Sequence, residues 1–316
     1  MNSEQSSGPS DALFDLRERL VVCDQLPTKA HVDFLRETSR TLYSIIEGVE
    51  VRGMTAYPAV ILGICVHFFN SFVAVVDLLG LGQSKSALAL HRSLFELMLH
   101  ARWIKEDPDP RSRRYIDYAT TLYPWFASEL HQKWGKGGDL SARREELAEK
   151  LVDLSERYGV IQGNPEQVAE KRIACLANPQ RCAEHLRDAA FRGSPTGTWH
   201  GLSVRRLARD IGVDFPAGGG FERGADYIEF LYDVFYELTS QQVHGAPQAV
   251  GDALEATESG VTIEMGPDPA ETEKVVSTSF AFARWTFDVL GSATDKDFES
   301  EFDPLHVKYG ELLPAE

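Results

Sequence analysis

The chain lacks the short patterns that announce the common nucleotide, hydrolase and zinc chemistries. Its 316 residues hold no Gly-x-Gly-x-x-Gly behind a strand, no phosphate-binding loop, no Gly-x-Ser-x-Gly and no His-Glu-x-x-His. The usual sequence signals for dinucleotide binding, a nucleophile elbow or a zinc protease are therefore missing. Cysteine is scarce: Cys23, Cys65, Cys175 and Cys182 are the only four, and none stands in Cys-x-x-Cys spacing. Three of them fall in apolar helical patterns, where a reduced, buried thiol is the usual state, and this fits a reducing, cytoplasmic compartment. Cys175 and Cys182 are seven apart, about two helical turns, but Asn178-Pro179 interrupts any single helix between them. Basic residues are also short, 32 against 48 acidic, for a formal net charge of −16. Such a chain repels a polyanion at long range, which argues against duplex DNA as the main partner. The basic clusters Arg111-Ser112-Arg113-Arg114 and Arg205-Arg206 with Arg209 are short and flanked by acids, so they read as solvated helix faces. No fixed-period repeat suggests a solenoid. Residues 1–10 have neither a basic start nor an apolar run, and read as a disordered lead rather than a secretory signal.

What is present is ordinary globular material, 43% hydrophobic and 25% charged. Ala59 to Leu79 is apolar over a length that raises the question of a membrane span, but it carries His67, Asn70, Ser71 and Asp77 without a clear basic flank. Followed by Gly80-Leu81-Gly82 and another apolar helix, it reads as half of a buried central hairpin, with no membrane partner. Periodicity and stop signals predict helices over Asp11–Asp24, Thr28–Glu47 with Thr28 as N-cap, Pro58–Leu79, Ser84–Ile104, and Arg111–Trp134 with a kink at Pro124. Further helices follow over Asp139–Tyr158, Pro165–Leu176, Pro179–Phe191, Ser203–Ile211, Ala225–His244 and Pro269–Leu290. The run Val261-Thr262-Ile263-Glu264-Met265 allows one short β-hairpin near 252–266 at most. The expected fold is thus all-α: a multi-helix bundle over residues 11–292, one domain with a helical insertion at about 136–222, then a polar tail over 293–316. Spare apolar helix faces in such a bundle point to a homo-oligomer, a dimer being the simplest.

Two helices carry the candidate site. At about 100° per residue, Ala87, Leu90, Leu94, Met98 and Ala101 line one face of Ser84–Ile104, and the opposite face mixes Arg92 and Glu96 with Leu88, Leu99 and Trp103. A helix apolar nearly all round is buried nearly all round, so Arg92 and Glu96, four apart, should face each other in a partly dry seam. They form either a structural ion pair or an anion site, since a guanidinium offers forked donors suited to phosphate or carboxylate. His91 and His100 lie elsewhere on that helix, as satisfied partners or surface groups. Tyr232, Tyr236, Ser240 and His244 form a second polar stripe along Ala225–His244. His244 sits in the last turn, where the helix dipole favours imidazolium and makes it either a cap or an acid.

The stretches Ala87 to Glu96 with Trp103-Ile104 and Asp107-Pro108, Trp199-His200-Gly201-Leu202-Ser203-Val204-Arg205, and Tyr236 to Gly245 ending Ser240-Gln241-Gln242-Val243-His244-Gly245 resemble a large bacterial family of helical proteins, one of the domain-of-unknown-function families. The resemblance spans roughly Pro58 to Leu290 and brings no biochemical role. More distantly the chain is similar to the HEPN superfamily, helical bundles that include metal-independent RNases of toxin and phage-defence systems. Those place an Arg four to six residues before a His on one helix. Here the residues at that spacing before His244 are Leu238, Thr239 and Ser240, so a catalytic reading takes the arginine from Arg92 on another helix.

Two expectations follow. In one, Arg92, Glu96 and His244 form a site for a small anionic ligand or an RNA phosphate, in a stress or defence setting. Arg92 would hold the anion, Glu96 orient Arg92, His244 move a proton, and Tyr236, Ser240 and Trp199 contribute ligand contacts, with no metal and no cofactor. In the other, the chain is a non-catalytic interaction protein and the Arg92–Glu96 pair locks the bundle.

Overall fold

Proline and glycine punctuation sets most helix boundaries. The computed structural model describes residues 28–50, 53–133, 143–192, 198–211, 222–237, 254–257, 260–263 and 269–312. In chain order these form α1 (Lys29–Glu47), α2 (Ala56–Gly80), α3 (Ser84–Glu106), α4 (Pro108–Asp117), a π-helical turn (Tyr118–Leu122), α5 (Tyr123–Lys133), α6 (Arg144–Arg157), α7 (Pro165–Ala177) and α8 (Pro179–Ala190). There follow α9 (Val204–Ile211), α10 (Gly224–Leu231), a second π-helical stretch (Tyr232–Glu237), β1 (Leu254–Thr257), β2 (Gly260–Ile263), α11 (Pro269–Thr294) and α12 (Glu299–Leu312). The fold is all-α. Among the described residues there is one hairpin, β1 antiparallel to β2 with Leu254 opposite Ile263, inside the window the sequence allowed. The expected helix Asp11–Asp24 lies outside the described residues.

The helix starts use the chemistry of their first residues. α7 opens with a capping box: the Asn164 side chain accepts from Gln167 N at 2.9 Å, and Gln167 reaches back to Asn164 N at 3.1 Å. Asn178 caps α8, accepting from Arg181 N at 3.1 Å, with Pro179 in the first turn where its missing N–H costs nothing. Thr28 does stand at the N-cap of α1, but its side chain makes no capping bond. The kink expected at Pro124 takes another form. The chain inserts a π turn at Tyr118–Leu122, and the Tyr123 N–H bonds to Tyr118 O, so the ladder is reset just ahead of the proline.

Two compact units divide the chain: one takes Met1–Met54, Ile61–Lys105 and Ile211–Glu316, the other Thr55–Val60 and Glu106–Asp210. In the first, α1 packs on α11 and α12, with Phe34 edge-on to Phe280 at 5.0 Å and tilted on Tyr309 at 5.7 Å. Phe68, Phe72, Phe282, Phe287 and Phe302 are fully buried, each worth roughly 1.5–3 kcal/mol of apolar burial. α2 gives this core Ile61, Ile64, Cys65, Phe68, Phe72, Val75, Val76 and Leu79, while Gly63, Val66, His67, Asn70 and Asp77 stay exposed. Among the described residues α2 is the one helix long and apolar enough to cross a membrane, with 44% of its most apolar window buried in protein.

The stretch expected as a polar tail from residue 293 carries one more helix. Glu299–Leu312 is helix, and its own Phe302 and Leu305 are buried. Arg284 pairs with Glu299 at 2.5 Å, and Lys308 pairs with Glu37, tying α12 to α11 and α1.

In the second unit, Trp125, Phe126, Leu122, Leu147, Leu151, Leu154, Leu186 and Phe191 form the core, closed by Tyr118 and Tyr158. Asp117, buried on α4, accepts from Arg157 on α6 at 2.5 and 2.6 Å and from Tyr158 at 3.2 Å. A smaller cluster of Val152, Ile161, Cys175 and Cys182 lies beside it. Cys175 and Cys182 are joined as a disulfide, Cα atoms 5.2 Å apart, against the expectation of reduced thiols; Cys65 stays a free, buried thiol. Asn178-Pro179 is the reason. By ending α7 and starting α8 it folds the two helices back on each other and brings the sulfurs together.

Candidate functional site

α3 is long enough to present different side chains to several neighbours, and its register decides which. Ala87, His91, Leu94, Phe95, Met98, Leu99, Ala101 and Ile104 are buried, so the apolar seam runs nearly round the helix. Arg92 and Glu96, one turn apart, take the gap left in that seam, a quarter to a third exposed at the side chain (25% and 31%).

The second wall comes from the π-helical stretch after α10. Its wider turn places Tyr232 and Tyr236 one above the other, rings stacked with centroids 5.0 Å apart and 19° between planes. Arg92 Nε donates to Glu96 Oε1 at 3.2 Å, and Arg92 Nη2 donates to the Tyr236 hydroxyl at 2.6 Å. The guanidinium carbon lies 4.2 Å from the Tyr236 ring centroid. The Tyr236 hydroxyl in turn hydrogen-bonds to Glu96, which closes a ring of three side chains. Burial pushes the Tyr236 phenol well above its ordinary range, and the Glu96 charge adds to this against the opposing pull of Arg92, so it stays a neutral proton donor. Behind it Phe95 lies 6.3 Å from Tyr236 and 5.4 Å from Phe282, backing the cluster with aromatic packing.

Of the residues expected at the site, the structure brings three together. Arg92, Glu96 and Tyr236 meet, although the last is 144 positions from the first. His244 and Ser240 lie outside the described residues. Trp199 belongs to the other unit, where it is buried, packs edge-on against Tyr115 at 5.0 Å, and accepts at its carbonyl from Arg114 Nε at 2.7 Å. Its neighbour His200 is held neutral by burial and then by the charge of Arg114, which together push it down to about 4; its Nδ1 accepts from Leu202 N at 3.1 Å. His91, one residue before Arg92, is a buried core group: its Nε2 lies 2.8 Å from Thr278 Oγ1 on α11, and burial pushes it down to about 3. Among the described residues no three His, Cys, Asp or Glu side chains are grouped to hold a metal ion.

One feature escaped the sequence reading. A cleft of about 700 Å³ opens in the first unit between the end of α3 and the α11–α12 turn, lined by Arg102, Lys105, Trp285, Asp288, Phe298 and Phe302 among others. Arg102 Nη2 and Lys105 Nζ converge on one oxygen of Asp288, at 3.1 and 3.2 Å, so two cations share a single carboxylate. Each pair, Arg102 with Lys105 and Trp285 with Asp288, stands three apart and could have been read as one helix face; that the two faces meet could not.

Fold and cluster together define a multi-helix, all-α protein with an Arg–Glu–Tyr seam. Residues 59–261, more than half of the chain, match the family described as Family of unknown function (DUF5677), and the chain belongs to that family. The matched span contains α3, the π-helical stretch and every residue of the seam. No curated protein and no solved structure matches the chain.

Proposed function

We propose that the Arg92–Glu96–Tyr236 seam is the binding site for a small anionic group, a phosphate or a carboxylate, with Arg92 as the residue that holds it. One observation carries the reading: the guanidinium is gripped along one side by Glu96 and Tyr236 while a quarter of the side chain remains open to solvent. A forked cation fixed in this way loses little side-chain entropy when an anion docks. Glu96 and Tyr236 are then positioning residues: the neutral phenol accepts from Arg92 and donates to Glu96, which fixes the direction of the guanidinium. In this reading Ser240 and His244 are further ligand contacts, and an RNA phosphate in a stress or defence role is one source of the anion. His244 would be the proton donor if the site is catalytic.

Thermal-shift and calorimetric titrations with inorganic phosphate, acetate and a short oligoribonucleotide test this. Wild type should be stabilised by at least one of them, in a salt-dependent manner, whereas Arg92→Lys should lose about tenfold or more in affinity because the fork is gone. Equal affinity in the two proteins removes the proposal. The competing reading, a purely structural lock, is favoured by the closed ring, in which the three groups satisfy one another. It predicts that Arg92→Ala destabilises the fold by about 1–3 kcal/mol with no ligand effect in either protein.

A further inference from the structure

The disulfide in the second unit stands at the wall of a cavity, and that cavity has a charge. About 300 Å³ in volume, it is lined by both cysteines together with Lys171, Arg181 and His185, and no carboxylate lines it. Apart from the disulfide the walls are cationic or neutral. The two sulfurs also differ in setting. Cys175 lies in the last turn of α7, where the helix dipole disfavours negative charge; Cys182 lies in the first turn of α8, where it favours a thiolate. Ser155, fully buried on α6, places its Oγ 3.2 Å from Cys182 Sγ, within reach to donate to a thiolate there.

We propose that Cys175–Cys182 is a thiol–disulfide exchange site for a small, carboxylate-bearing thiol, entered through the cationic cavity and attacked at Cys175. The thiolate of the small molecule bonds to Cys175 Sγ, the Cys175–Cys182 bond breaks, and Cys182 leaves with the electron pair as a thiolate stabilised by the α8 terminus and Ser155. A second small thiolate then attacks the first small molecule's sulfur in the mixed disulfide, its bond to Cys175 Sγ breaks, and the small-molecule disulfide forms as Cys175 leaves as a thiolate. The two cysteines end protonated from solvent, the protein disulfide reduced by two electrons and two small thiols oxidised to one disulfide. Lys171, whose ammonium donates to Gln162 O at 2.7 Å, and Arg181 hold the incoming carboxylates.

The test uses the full chain, oxidised, with reduction followed by alkylation and intact mass. Glutathione, 2-mercaptoethanol and cysteamine supply anionic, neutral and cationic thiols, each rate being divided by that for an unstructured model disulfide at equal thiolate concentration. The normalised rate should be about three- to tenfold higher for glutathione than for mercaptoethanol at low ionic strength, lowest for cysteamine, and the spread should shrink with added salt. The double variant Lys171→Gln with Arg181→Gln should remove the ordering, and peptide mapping of the trapped intermediate should find glutathione on Cys175. Equal normalised rates, attachment on Cys182, or cysteines that stay free thiols in oxidised glutathione would each overturn the proposal.

Discussion

His91 offers the sharpest energetic test of the first unit, because the structure determines both its protonation state and its cost. Thr278 Oγ1 donates to Lys274 O at 2.6 Å and lies 2.8 Å from His91 Nε2, an arrangement that suits a neutral imidazole protonated on Nε2. The ring is fully buried, tilted on Phe282 with centroids 5.0 Å apart, and the neutral form is enforced by burial. Its pKa in the fold, about 3, lies below the value of about 6.5 for the unfolded chain. A depressed pKa gives stability that is complete above the unfolded value and lost as pH falls from about 6.5 towards 3, since only the unfolded chain binds the proton in that window. The linkage integral gives a loss of about 2 kcal/mol by pH 5 and about 3 kcal/mol by pH 4, relative to pH 8. In His91→Gln the amide can still donate to Thr278 but cannot titrate. Urea unfolding of the wild type and of this variant between pH 8 and 4.5 isolates the effect, because other titrating groups cancel in the difference. The stability gap between them should narrow by about 2 kcal/mol on going to pH 5. A gap that stays constant to within about 0.5 kcal/mol would refute the buried, neutral assignment.

Two further substitutions test local geometry. Gly201 has φ near +70°, and a Cβ there would lie 2.8 Å from Arg114 Nη2 and 3.1 Å from Ala190 O, which the same guanidinium bridges. Gly201→Ala should therefore cost about 2–3 kcal/mol in the second unit, read by urea unfolding, from left-handed strain plus the disturbed Arg114 contacts. Phe302, on the buried face of α12, is 1% exposed and 6.3 Å from Phe280, and it makes the last helix part of the core: Phe302→Ala should cost about 3–5 kcal/mol, whereas a loose tail would leave the melting curve unchanged.

Most helix boundaries were legible because they are written in residues that act locally. Gly80-Leu81-Gly82, Asp107-Pro108, Asn164-Pro165 and Asn178-Pro179 each end one helix or begin the next wherever they occur. The four-residue step from Arg92 to Glu96 is local in the same sense. α12 was missed because its apolar signal is thin: Phe302 and Leu305 stand among Glu299, Glu301, Asp303 and Lys308, and Pro304 reads as a breaker. The π-helical turns leave no trace in the hydrophobic pattern, since one extra residue per turn shifts phase without changing composition. Asn178-Pro179 shows a local signal correctly read and wrongly extended: a helix interruption between two cysteines separates them along a helix axis but joins them across a hairpin.

The seam and the cleft have a common origin in the register of α3. Arg92 and Arg102 are ten positions apart, about 80° round the helix axis, so one arginine turns to the π-helical stretch and the other to α11. His91, Phe95 and Met98 are buried, and the Phe95 ring packs on Tyr236 on one side and Phe282 on the other. Phe282 then meets Trp285, which lines the cleft, with centroids 6.0 Å apart. Aromatic side chains thus run without a break from the stacked Tyr232–Tyr236 pair to the cleft wall. A close-packed chain of this kind passes small displacements on rather than absorbing them, so movement of Tyr236 on anion binding would be felt at Trp285. Indole fluorescence on titration with phosphate would register that coupling, and a variant that keeps binding with Phe95→Leu should lose the spectral change.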